Sequence, residues 1–116
     1  TQRAPANKNA QEIQRLFTQV AADDAQLEVW KQRMDSMERE MEKLKAKVGQ
    51  LNKEINAGKA GRRMSTQAIN RNIDAHNSAV KRFNALFNDY EDLRKRHNLL
   101  VVKRNEKYQR MKLLEQ

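Results

Sequence analysis

The sequence predicts an all-α fold: an antiparallel coiled-coil hairpin of two long helices, expected to self-associate into a dimeric four-helix arrangement. Three observations predict it. First, two heptad seams alternate steps of three and four without a slip. One runs Ile13, Leu16, Val20, Asp23, Leu27, Trp30, Met34, Met37, Met41, Leu44, Val48, Leu51, Ile55; the other runs Ile69, Ile73, His76, Val80, Phe83, Phe87, Tyr90, Arg94, His97, Val101, Arg104, Tyr108, Met111. Such spacing keeps one stripe of a helix facing a partner helix. Second, glycines at 58 and 61 sit between the seams, followed by Ser65 and Thr66. Third, the seams are equal in length. Folding the chain so that facing positions add up to 124 puts every seam residue opposite another.

Each element follows in order. Residues 1–8 are polar and contain Pro5, the only proline, and are expected to be disordered. Asn9, with Glu12 three residues on, has the pattern of a capping box and should start a helix over 9–57. Gly49 falls on its outward side, at a cost of about 1 kcal/mol relative to Ala. Residues 58–65 form the tip, whose glycines suit a helix end. Ser65 can cap a second helix over 66–115, with Met64 and Ile69 placed as a hydrophobic staple. The domain is then a single hairpin over 9–116.

Composition narrows the function classes. Charged residues make up 34% of the chain and aromatics 5%, too polar for a thick globular core unless the apolar residues line up as they do. No cysteine is present, which excludes disulfide and thiolate chemistry and leaves the compartment open. The acids and bases alternate along helix faces, as ordinary helix-surface pairs do. A two-helix seam offers no pocket to shift a pKa or hold a substrate, so no enzyme activity, cofactor, metal or small-molecule substrate is expected. His76 and His97 stand in the seam 21 residues apart, roughly 31 Å along a helix, and cannot share a metal within one chain.

Four features suggest interaction. One position before the second seam come Leu86, Leu93 and Leu100, a heptad apart; with Val102 they suggest a self-association surface near the open end. Asparagines recur at heptad spacing beside the seam, at 70, 77, 84, 98 and 105, with Glu91 filling the gap, either a polar ladder for a partner helix or a solvated flank. The net charge of +9 concentrates at the tip and on the second helix. Lys59, Arg62, Arg63 and Met64 make a basic tip for a protein partner, and Arg94, Lys95, Arg96, Lys103, Lys107 and Arg110 make an anion-binding patch. No motif of base recognition accompanies those bases, and Glu91, Asp92 and Glu106 interrupt them. The sequence therefore points to a non-enzymatic coiled-coil interaction or spacer module, a homodimer with an acidic protein partner. Nucleic acid or an anionic membrane surface is the alternative partner.

Overall fold

A computed structural model describes residues 3–61 and 64–116, with side chains from residue 8 onward. Two helices account for almost all of them. Helix α1 spans Arg3–Gly61 and α2 spans Thr66–Glu115. They pack against each other as an antiparallel hairpin, and no strand occurs among the described residues.

The boundaries of α2 are those expected, and its start has the expected cap. The Ala68 N–H donates to the Ser65 hydroxyl at 3.1 Å, and the Ile69 N–H donates to the Ser65 carbonyl at 3.0 Å. The Ala68 donor would otherwise be an orphan of the first turn, and the Ile69 bond is the first of the helix ladder.

Helix α1 differs at both ends. It starts at Arg3, so the segment expected to be disordered is helical from that residue. Pro5 is tolerated because it lies in the first turn, where its missing N–H has no helical partner to lose. Asn9 is therefore not a cap, and Glu12 accepts from the Arg15 guanidinium instead, at 2.9 Å. At the other end α1 runs through Gly58 to Gly61. Gly58 is buried within the helix and serves close packing rather than helix termination. A Cβ there would meet Met64 Sδ at 2.8 Å and Ile69 Cγ1 at 3.4 Å. Gly49 has nothing within 4 Å of such a Cβ.

The single unit expected over 9–116 divides in two, because in a two-helix pair each residue meets only those facing it. The open-end unit comprises 1–33 with 93–116, and the tip unit comprises 34–92. In each, the inner face of α1 is the expected one. Leu16 and Val20 are buried in the first unit, Met37 and Ile55 in the second, and the seam residues between them are half-buried.

The inner face of α2 is not the expected seam. Seven seam residues keep their place: Ile69, His76, Phe83, Tyr90, His97, Arg104 and Met111. The alternate positions move back by one. Ala79 is buried at 5% exposure and Leu93 at 8%, Leu86 and Leu100 are half-buried, while Phe87 is 48% exposed and Arg94 is exposed. Contacts fix the new register. Gly58 faces Ile69, the Tyr90 hydroxyl donates to Glu38 at 2.6 Å, Arg104 donates to Asp24 at 2.8 Å and Lys107 to Asp23 at 2.9 Å. These pairs add up to 127, 128, 128 and 130, three or more beyond the expected 124. A facing sum of 127 matches every step of three and four on α2 from Ile69 to Leu114 against α1 from Ile13 to Gly58. The physical reason is apolar burial. The slide brings Ala79, Leu86, Leu93 and Leu100 inward and lets Arg94 out. Full burial of one leucine contributes about 1.5–3 kcal/mol.

Candidate interaction surfaces

The tip unit holds the expected partner-binding residues at one end. Lys59 is exposed on the last turn of α1. Arg62 and Arg63 lie outside the described residues. Met64 is half-buried with its sulfur over Gly58, so it fastens the start of α2 rather than projecting toward a partner. The same contact completes the staple, since Met64 and Ile69 both close on Gly58.

Leu86, Leu93 and Leu100 do not form an outward surface. They belong to the hairpin's own inner face, and a self-association surface built on them is corrected accordingly. Val102 does face outward, at 53% exposure, with Leu99 and Leu113 along the same side of α2.

The seam residues that moved out define a different face. In the tip unit, α2 presents Asn70, Ile73, Asn77, Val80, Asn84 and Phe87 at successive steps of three and four. Ile73 and Val80 are half-buried, and the other four are exposed. None of the six carries a charge, in a chain where charged residues make up 34%. An apolar groove of about 330 Å³ opens beside this stripe, lined by Lys45 and Val48 of α1 and Val80 and Phe83 of α2. Arg82 reaches Glu40 across the opposite flank of the pair. Sequence reasoning saw the asparagines and the apolar residues separately. Assigning Ile73, Val80 and Phe87 to the inner seam hid the stripe they make together. The absence of charge from Asn70 to Phe87 was the signal that could have revealed it.

In the open-end unit Arg104, Lys107 and Arg110 of α2 pair with acids of α1. Lys107, expected in an anion-binding patch, turns inward to Asp23 at 2.9 Å; the side chains are 31% and 15% exposed. Arg104 holds Asp24 through two nitrogens, at 2.8 and 3.3 Å. That hydrogen bond keeps its guanidinium above its ordinary pKa, against a smaller opposing effect of burial. Arg104 and Lys112 also flank the Tyr108 ring at 5.0 and 5.5 Å from its centroid, within cation–π range. Arg110 is exposed and lies 3.7 Å from Glu12. The Glu12 carboxyl is held below its ordinary value, first by the Arg15 hydrogen bond. Lys95, Arg96 and Lys103 are exposed, as is Arg94. The expected patch is thus broken up: Lys107 lies inside the seam and Arg110 beside an acid.

Among the described residues no group of acids and histidines is spaced to hold a metal ion, and no helix is long and apolar enough to cross a membrane. Comparison of the chain with protein-family models, with curated proteins and with solved structures gave no match.

Proposed function

We propose that the chain is a non-enzymatic helical-hairpin interaction module that docks a helix of a protein partner against α2 in the tip unit. The observation that carries this reading is the uncharged stripe from Asn70 to Phe87 beside the groove at Val48 and Val80. A solvated helix face in so charged a chain would carry lysines and glutamates. A face with apolar and amide side chains at heptad spacing is suited to another helix. Lys59 and the exposed bases of α2 then supply long-range attraction to an acidic partner, which speeds encounter more than it strengthens the complex.

Capture from the native source with salt-graded elution tests this, comparing the wild-type chain with Val80→Glu/Phe87→Glu. A protein that survives added salt on the wild type and is lost with the variant supports the reading. Retention that vanishes with salt and ignores the variant would overturn it in favour of a polyanion, because phosphate contacts weaken steeply with ionic strength.

A further inference from the structure

We propose that the helix received by this stripe is α2 of a second copy of the chain, paired in parallel and in register. The inference rests on the docking reading above and names its occupant. The asparagines of the stripe occupy every seventh position, with Ile73, Val80 and Phe87 at the alternate steps. An asparagine amide is both donor and acceptor, so its best partner across a helix pair is another asparagine amide. A parallel pairing in register sets Asn70, Asn77 and Asn84 against their own copies and each apolar residue against its own copy. An antiparallel pairing would set each amide against an apolar side chain and leave its polar atoms unmatched. Asparagine at such positions fixes register and two-stranded pairing at a cost in stability.

Two further observations agree. Among the described residues, no side-chain hydrogen bond engages the amides of Asn70, Asn77 or Asn84, so all three are open to an intermolecular partner. The stripe also lacks charge, so two copies meet without like-charge repulsion along it. The area sets the strength. From Asn70 to Phe87 the stripe is about 26 Å long on a helix about 10 Å across, well below the roughly 800 Å² per partner of a standard interface. The dimer is accordingly weak and concentration-dependent. The sequence repeats the alternation at Asn98, Val101, Asn105 and Tyr108 in the open-end unit.

The test is sedimentation equilibrium of the full chain over a concentration series reaching about 100 μM, run beside Asn77→Asp/Asn84→Asp. Both positions are exposed, so the variant keeps its helices by circular dichroism. The expected result is a wild-type mass rising from one chain to two, and a variant that stays at one because four carboxylates would face each other. Since the chain has no cysteine, a single Asn84→Cys reports the pairing directly. In a glutathione redox buffer it should form a disulfide dimer roughly tenfold faster than Ser78→Cys on the exposed neighbouring face. Any of three results overturns the proposal: a wild-type mass of one chain throughout, an undiminished dimer in the acidic variant, or equal cross-linking at 84 and 78. If the wild type stays at one chain while capture still depends on Val80 and Phe87, self-pairing falls and the docking reading stands.

Discussion

Replacing Leu93 by alanine separates the observed register from the one read off the sequence. Leu93 is 8% exposed, so nearly all of its side chain leaves water when the hairpin forms. Leucine-to-alanine changes in cores cost about 2–5 kcal/mol, the spread reflecting how far the site collapses. Two helices enclose less than a globular core does, so the lower part of that range applies, about 2–3 kcal/mol. Phe87 is 48% exposed. Full burial of phenylalanine contributes about 1.5–3 kcal/mol, so Phe87→Ala should cost about 1 kcal/mol. At about 4 °C per kcal/mol for a chain of this size, the expected losses in Tm are about 8–12 °C and about 4 °C. Circular dichroism with urea and heat reads both, at protein concentrations low enough that no weak dimer contributes. In the register with a facing sum of 124, Phe87 would be the core residue and Leu93 a surface one, and the order would invert. A larger loss for Phe87→Ala than for Leu93→Ala refutes the register derived from burial.

Five further outcomes follow from the same structure. Gly49→Ala should gain about 1 kcal/mol from helix propensity, since nothing lies near the new Cβ. Gly58→Ala should gain nothing or lose up to about 2 kcal/mol in urea titration, because Met64 and Ile69 must move aside. Ser65→Ala should cost about 1 kcal/mol by removing the acceptor of the Ala68 N–H, with hydrogen exchange rising first at the start of α2. Asp23→Ala leaves the half-buried Lys107 ammonium without its carboxylate. It should cost about 1–2 kcal/mol, between the values for exposed and buried pairs. The Glu12 carboxyl is held below its ordinary 4.5 in the fold. Its contribution is complete above that pH and lost as pH falls through the lower folded value, so Glu12→Gln should lower the neutral plateau slightly and flatten the acid limb of the stability curve.

Helix positions and the hairpin were legible because both seams repeat over many turns, and one slip would have destroyed either. The Ser65 cap and the Met64–Ile69 staple were legible because they use local spacing alone. The start of α1 was missed because Asn9 and Glu12 have the spacing of a capping box, whereas the helix begins at Arg3 and tolerates Pro5 in its first turn. The register was missed for a subtler reason. On α2 the residues at 79, 86, 93 and 100 and their successors at 80, 87 and 101 are nearly equal in hydrophobicity, so two adjacent stripes competed for the inner face. Periodicity identifies a helix but does not choose between neighbouring stripes. Packing against α1 chose the leucines, and Arg94, which one stripe contained and the other did not, was the residue that could have decided the matter. The interaction surface was misplaced by the same error, since the leucines assigned to it are those the hairpin uses for itself.

The polar residues of the open-end unit explain why this register wins over slides that bury comparable apolar area. Asp23 and Val20 on α1 face Arg104 and Lys107 on α2, and the charges interlock, with Lys107 on Asp23 and Arg104 on Asp24. A slide by a heptad would set Asp23, with a side chain only 15% exposed, opposite Met111 in one direction and His97 in the other, and would take it away from both Arg104 and Lys107. An unpaired charge in that position costs more than a partly exposed pair gains. The cluster therefore acts mainly by penalising wrong registers, which is the role single polar residues have in coiled-coil seams. Replacing Asp23 and Lys107 together by leucine would remove that penalty while adding apolar burial. Stability and uniqueness should then move in opposite directions, a higher melting temperature accompanying a broader set of facing partners. The asparagine stripe on the outer side of α2 would use the same device between molecules, with amides in place of charges because two identical faces cannot be complementary in charge at every matched position.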